Sequence, residues 1–159
     1  MRATDLQDRF PVVGRGTSAV EAARLIAMDR RAGLVIADKN GTPVAVVSSV
    51  DVLSLLVPPY VLDDMSLAGV MDETAAEEVW ERASGRTIGE LLDDDRVHIY
   101  DLLVVDADPT ILEIAAQMAD ARAQVAMVAH GAGEEARFVT LPVVMDAILK
   151  FCAPQGHTA

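Results

Sequence analysis

Residues 12–27, VVGRGTSAVEAARLIA, and residues 104–119, VVDADPTILEIAAQMA, carry one pattern 92 positions apart. In each copy two valines come first, and a hydroxyl residue, Ser18 or Thr110, then stands three positions before a glutamate. That spacing is the capping box of a helix start, in which the hydroxyl and the carboxylate accept hydrogen bonds from first-turn amides. Because repetition at a fixed offset indicates a repeated structural unit, we interpret the chain as two copies of one fold.

The correspondence continues without a gap to residue 56, where Gly41 falls on Gly133 and Ser48 falls on Thr140. Each helix is followed by an apolar strand, a glycine-containing turn, a second strand and a short apolar helix. An Asn-Gly pair ending at Gly41 predicts a hairpin, because both central residues can take positive φ. Each copy is therefore predicted to have the element order β-α-β-β-α. The predicted fold class is α/β, of the α+β type.

Helical spacing of apolar residues predicts which face of each long helix packs on its sheet. The residues expected to face the core are Val20, Ala23, Ile26 and Ala27 in the first copy and Leu112, Ala115, Met118 and Ala119 in the second.

The composition excludes several classes of function. The 159 residues carry a formal net charge of −12, which disfavours binding to nucleic acid or to an anionic membrane. There is one cysteine, Cys152, which excludes an internal disulfide and a multi-cysteine zinc site. No catalytic constellation is evident, and Asp93-Asp94-Asp95 is interpreted as a solvated loop. Without an apolar run long enough for a signal peptide or a membrane span, a cytoplasmic protein is expected, with no membrane insertion.

A linker separates the copies. Pro58-Pro59 ends the first copy, residues 61–84 are predicted to form one helix, and Gly85 suits its end. Trp80 in this helix would contact a partner protein or, as we favour, pack within its own module or a homodimer. The predicted domains are 1–57 for the first copy, 58–85 for the helical linker, 86–152 for the second copy and 153–159 for a flexible tail.

The second strand of each copy leads into a short motif. The first copy reads AVVSSVD over residues 45–51, and the second reads RFVTLPV over residues 137–143. Together with the repeated β-α-β-β-α order, these motifs resemble a tandem pair of CBS domains, the unit often called a Bateman module. The family signature is Gly, two hydrophobic residues, Thr or Ser, two variable residues and Asp. Here Ala45 replaces the glycine and Val143 replaces the second aspartate.

The resemblance implies two repeats related by a pseudo-twofold axis, with clefts that commonly bind AMP, ADP, ATP or S-adenosylmethionine. Carried over residue by residue, Ser48 and Asp51 would hold the ribose, while Val13 and Thr17 would line the base pocket. Thr140 is the only motif residue kept in the second copy, so one competent and one degenerate site are expected. The alternative, given equal weight, is that Ser48 and Asp51 only cap a helix; for Thr140, a capping role is favoured over ligand contact.

Two functions follow from these expectations. The leading hypothesis is a regulatory module, not an enzyme, which binds an adenosine-containing ligand and needs no obligatory cofactor. The alternative is a ligand-free dimeric scaffold for an enzyme or transporter, and the resemblance implies a homodimer in both cases. Arg15, Lys39 and Arg86 are the candidate phosphate partners. The acidic charge favours AMP, adenosine or S-adenosylmethionine over ATP without Mg²⁺.

Overall fold

The computed structural model describes residues 1–152, so the predicted flexible tail at 153–159 lies outside the described residues. Its contacts divide the chain into a first unit, residues 11–101, and a second unit, residues 1–10 with those from 102 onward. In chain order the elements are α1 (Ala3–Leu6), β1 (Val12–Val13), α2 (Ala19–Asp29), β2 (Gly33–Ala37), β3 (Pro43–Ser48), α3 (Ser49–Leu56), α4 (Pro59–Asp63), α5 (Ser66–Val70), α6 (Glu73–Ala83), α7 (Ile88–Leu92), β4 (Tyr100–Asp101), β5 (Leu103–Val105), α8 (Ile111–Ala121), β6 (Val125–Val128), β7 (Arg137–Thr140) and α9 (Leu141–Cys152).

The predicted repeat is confirmed in both units. The first unit contains β1-α2-β2-β3-α3, and the second contains β5-α8-β6-β7-α9. In each sheet the first strand runs parallel to the second, which runs antiparallel to the third. The α+β class is therefore confirmed. An additional strand, β4, pairs with β3 at the edge of the first sheet and was not predicted.

Each unit also contains a short helix from the segment that precedes the other repeat. In the first unit Thr87 forms a bridge with Ser18, just before α7 and α2 begin. In the second unit Arg2 forms the corresponding bridge with Thr110, just before α1 and α8 begin. The predicted boundaries at residues 57 and 85 divide the chain between consecutive repeats. The compact units are divided differently, because each one includes the short helix that contacts it from the segment before the other repeat.

The two long helices begin at the predicted residues, with different side-chain partners. Thr110 and Glu113 form a complete capping box, because the Thr110 amide donates to the Glu113 carboxylate at 2.6 Å. The Thr110 amide and then its hydroxyl lower the pKa of Glu113. Ser18 accepts from the Glu21 amide at 3.1 Å, but the Glu21 carboxylate binds Arg24 at 2.8 Å instead. The predicted box is thus complete only in the second repeat.

Helices α2 and α8 both end on an arginine in the left-handed region, Arg30 and Arg122, each with φ of 51°. A Cβ atom is unfavourable there, and glycine is the usual residue. We expect Arg30→Gly to raise the free energy of unfolding by about 0.5–1 kcal/mol, measured by urea denaturation. Arg24→Gly, inside the same helix, is the control and should lower it by about 1 kcal/mol. A loss of stability in Arg30→Gly would contradict the strain argument.

The predicted first hairpin is present, with one of its two central residues at positive φ. Gly41 has φ of 81°, whereas Asn40 stays at negative φ. The Asp38 carboxylate accepts from the amides of Asn40, at 2.8 Å, and Thr42, at 3.1 Å, and so holds the turn. One positive φ is enough because the strands are offset by an irregularity next to Ala37. Gly133, with φ of 83°, occupies the same place in the second repeat.

The predicted helix stripes are partly wrong. In α2 the residues buried in the core are Ala19 and Ala22, while Val20 is exposed. In α8 the core residue Ile114 was missed, and Leu112 is 78% exposed. Both helices carry apolar side chains on two faces, so helical spacing alone does not select the face that packs on the sheet.

The single linker helix predicted for residues 61–84 is also wrong, since the segment forms α4, α5 and α6. The breaks lie at Asp64, in an extended conformation, and at Met71 and Asp72. Asp64 accepts from the amide and the hydroxyl of Ser66, and Asp72 caps α6 by accepting from the Ala75 amide at 2.8 Å. These short carboxylates compete with helix continuation and start a new helix instead. In α6, Trp80 is 51% exposed.

Candidate functional site

Ser48 and Asp51 meet where β3 ends and α3 begins. The Ser48 hydroxyl accepts from the Asp51 amide at 3.1 Å and donates to Asp51 Oδ2 at 2.7 Å. Both residues are partly buried. Within residues 1–152 the second carboxylate oxygen, Oδ1, makes no hydrogen bond. The junction therefore presents a fixed carboxylate with one uncommitted acceptor oxygen beside a helix start.

Gly33 holds this junction close to the neighbouring strand. It pairs in register with Ser48, and the Ser49 amide donates to the Ala32 carbonyl at 2.8 Å. A Cβ atom on Gly33 would lie 2.5 Å from the carbonyl oxygen of Val47, nearer than real contacts allow. Gly33 was missed in the sequence because Val125 occupies its place in the second repeat, and no shared glycine marks it.

The structure does not bring Val13 and Thr17 to Ser48. Val13 is buried in the core of the first unit. Thr17 lies in the turn after β1, where its hydroxyl accepts from the Gly14 amide at 3.1 Å. Because β1 runs parallel to β2 and Ser48 pairs with Gly33 at the start of β2, Thr17 follows the opposite end of the sheet. Their role in a base pocket stays a prediction.

Thr140 occupies the position equivalent to Ser48 in the second unit. It pairs with Val125, and the Leu141 amide donates to the Gln124 carbonyl at 2.9 Å, so the same strand pairing and backbone hydrogen bond recur as at the first junction. Val143 is 39% exposed and offers no acceptor where the first repeat has a carboxylate. Among the described residues the Thr140 hydroxyl makes no hydrogen bond. This junction lacks the charged half of the motif.

Two of the three candidate phosphate partners are engaged by neighbouring acids. Arg15 binds both oxygens of Asp93, at 2.8 and 2.9 Å. The Arg86 guanidinium lies 3.3 Å from Glu90. Lys39 is exposed in the first hairpin turn. A phosphate at either arginine would have to compete with a carboxylate of the chain itself.

The acidic run at residues 93–95 is a loop, as predicted. Asp94 accepts hydrogen bonds from the side chain and the amide of Arg96, which lower the pKa of its carboxyl. Within residues 1–152 no group of three His, Cys, Asp or Glu side chains could hold a metal ion. No helix in that range is both long and apolar enough to cross a membrane.

A solved structure matches this chain over nearly its whole length. It is a CBS domain-containing protein of unknown function from Kribbella flavida, 34% identical, and the match covers 93% of this chain and 99% of that one, with a TM-score of 0.76. The chain belongs to the CBS-domain family. The resemblance seen in the repeated motifs is thereby confirmed. No family model and no curated protein matches the sequence.

Two further solved structures share the CBS-pair fold at lower identity. CBSX2 from Arabidopsis thaliana, in complex with AMP, is 23% identical, with 91% of this chain and 90% of that chain covered and a TM-score of 0.55. The CBS domain of a bacterial CNNM/CorC family Mg²⁺ transporter, in complex with ATP, is 16% identical, with coverages of 89% and 80% and a TM-score of 0.55. At these identities the likeness shows the fold alone.

This CBS-domain protein thus keeps the hydroxyl of the family motif in both repeats and the aspartate in one. Ala45, which stands for the motif glycine, lies within β3 and pairs with Ile36 on one side and Asp101 on the other. The departure leaves the strand intact, since Ala45 is accommodated between two paired neighbours. The loss of the second aspartate is the departure that changes the chemistry.

Proposed function

We propose that this chain is a regulatory module that binds an adenosine-containing ligand at the first motif and transmits binding to a partner protein. The observation that carries the proposal is the Ser48–Asp51 pair, a partly buried carboxylate held at 2.7 Å by the hydroxyl of the preceding cap. Support comes from the family, because CBS-pair structures of similar fold are complexes with AMP or ATP.

The chemistry of the pair suits a ribose. A carboxylate accepts hydrogen bonds from both hydroxyls of a cis-diol, and bonds to an ionised acceptor are about twice as strong as neutral ones. Asp51 Oδ1 has no partner among the described residues, and Oδ2 keeps a lone pair beyond the bond from Ser48. Because Ser48 already orients the carboxylate, little further ordering is required when the ligand binds.

The charge distribution bears on the choice of ligand. The formal net charge is −12, and Arg15 and Arg86 already contact Asp93 and Glu90. A triphosphate without Mg²⁺ would meet an unfavourable field with few uncommitted cations. The proposal therefore favours AMP or S-adenosylmethionine over free ATP.

Asp51→Ala is expected to weaken binding of the ligand by roughly 10- to 100-fold, because a hydrogen-bonded charged acceptor is lost. Isothermal titration of the full chain with AMP, ADP, ATP with and without Mg²⁺, and S-adenosylmethionine measures this. Glu21→Ala is the matched control. Glu21 holds the same position after its cap in α2, since the Ser18 hydroxyl accepts from its amide as Ser48 does from that of Asp51. The control should lose similar helix stability and keep its affinity.

Equal losses of affinity in both variants would show that Asp51 acts through the helix and not through the ligand. If the unaltered chain binds none of these ligands, the alternative of a dimeric interaction scaffold is favoured. That alternative has support of its own, because the Ser48 hydroxyl already caps α3 through the Asp51 amide and Oδ2 without a ligand.

Exposed apolar residues on α8 and α9 suit the association of two copies of the chain, whether or not the chain binds a ligand. Leu112 on α8 and Leu149 and Phe151 on α9 are 78%, 63% and 73% exposed. Burying such side chains against a second chain would remove apolar surface from water. We propose a homodimer in which these helices contribute to the interface.

A further inference from the structure

A second candidate site lies in the first unit, where the end of α3, the start of α4 and the last turn of α6 form a small open cavity. Its volume is about 130 Å³. The walls are mostly apolar and include Leu55, Pro58, Tyr60 and Val79. A dry cavity of about 150 Å³ with aliphatic walls takes up a benzene molecule, so this space matches one ring or one branched aliphatic group.

Two arginines, Arg82 and Arg86, line the same cavity. Arg86 is held in place, because it donates to the Leu55 carbonyl at 3.0 Å and contacts Glu90 at 3.3 Å. Arg82 is exposed, and within residues 1–152 its guanidinium makes neither an ion pair nor a hydrogen bond. Residues 40–81 contain no Lys or Arg, so Arg82 is the first cation after a long acidic stretch. The cavity thus joins an apolar wall to an uncommitted positive charge.

We propose that this cavity binds a small carboxylate that carries one aromatic or branched aliphatic group. The apolar group would occupy the space against Tyr60 and Val79, and the carboxylate would bind the Arg82 guanidinium. Arginine suits this partner because its planar fork of donors matches the two oxygens of a carboxylate. A phosphate fits less well, because its second charge would meet the acidic field of the chain with only one uncommitted cation nearby. The site is separate from the Ser48–Asp51 junction, and it does not depend on nucleotide binding.

The test is a titration of the ¹⁵N-labelled full chain with phenylacetate, followed by NMR. We expect saturable shifts of the amides of residues 55–57, 60 and 79–86. Acetate has the same charge without the ring, and phenethylamine has the ring with the opposite charge, so neither should produce them. Arg82→Gln should weaken phenylacetate binding by roughly tenfold or more, since a charged hydrogen-bond partner is lost.

Arg24→Gln is the matched control, because Arg24 is an exposed helical arginine that pairs with Glu21 away from the cavity. It should leave phenylacetate binding unchanged. Arg82 is itself exposed, so its replacement should not affect folding, and the amide spectrum verifies this in the same experiment. The proposal is overturned if phenylacetate gives no saturable shifts, if they persist in Arg82→Gln, or if acetate or phenethylamine reproduces them.

Discussion

Leu34→Ala is expected to lower the free energy of unfolding by about 3–5 kcal/mol, the largest effect among the substitutions considered for this chain. Leu34 lies on the central strand β2 and has no exposed surface. It belongs to the core of the first unit, so its removal leaves a cavity that the surrounding strands and helices cannot fill. Denaturation in urea, followed by circular dichroism, measures the loss.

The second repeat shows how this loss could be offset. At the places of Ala22 and Leu34 in the first core it has Ile114 and Ala126, so the large and the small residue are exchanged. Ala22→Ile alone should destabilise the chain by about 1–3 kcal/mol through overpacking. Combined with Leu34→Ala, it should restore volume, and the double variant should be more stable than the sum of the single effects by at least about 1 kcal/mol.

A control tests whether this coupling is specific. Val35 is the next residue of β2 and is also fully buried, but it lies outside the core cluster that holds Ala22 and Leu34. Successive side chains of a strand point to opposite faces, so Ala22→Ile and Val35→Ala should be additive. If the Ala22–Leu34 pair is additive as well, the two positions do not share space and the exchange between repeats is incidental.

Gly33→Val, which copies Val125 of the second repeat, is expected to cost about 2–3 kcal/mol. Its Cβ would lie 2.5 Å from the carbonyl oxygen of Val47, and backbone cannot rotate away as a side chain would. Because Gly33 pairs with Ser48, the displaced strand should also weaken ligand binding at Asp51. Thermal denaturation and the AMP titration measure the two effects.

Gly14→Ala serves as the control for Gly33→Val. A Cβ atom at Gly14 would have no heavy atom of the described residues within 4 Å beyond its own chain neighbours, and Gly14 does not adopt a positive φ. An alanine there should be neutral or stabilising by about 0.4–1 kcal/mol, since it restricts the unfolded chain. If Gly33→Val proves as harmless as Gly14→Ala, the first sheet can open at this point and the close approach has no structural importance.

The element order could be predicted because it is repeated. Two copies of a hydroxyl cap before a helix, and of a glycine turn between strands, support each other where one copy would be ambiguous. The Ser48–Asp51 pair was located by the resemblance to the family motif, since only the hydroxyl is repeated in the second copy. Features present in one copy only, such as Gly33 and the added strand β4, had no second copy to support them.

Other errors came from patterns that fit two structures. Apolar residues occur on two faces of α2. The helical spacing that begins at Val20 selected the wrong face, and Ala19 and Ala22 are the residues that pack in the core. In the linker, the helical composition predicted one continuous helix through Asp72. The sequence does not show that the Asp72 side chain accepts from the Ala75 amide and so begins a new helix. Thr17 was assigned to a base pocket from the family resemblance alone, whereas the pairing of the strands puts its turn at the end of the sheet opposite Ser48.

The short helices α1 and α7 determine which fragments of the chain have a complete core. A fragment ending at residue 57 would contain the whole first repeat, yet it would lack α7, whose residues Ile88 and Leu91 lie in that repeat's core. A fragment starting at residue 86 would lack Ala3, which is buried in the other core. Neither half is self-sufficient, so loss of one repeat with its preceding segment would leave the remaining core open to water. The contacts favour 11–101 as the smallest piece to express alone.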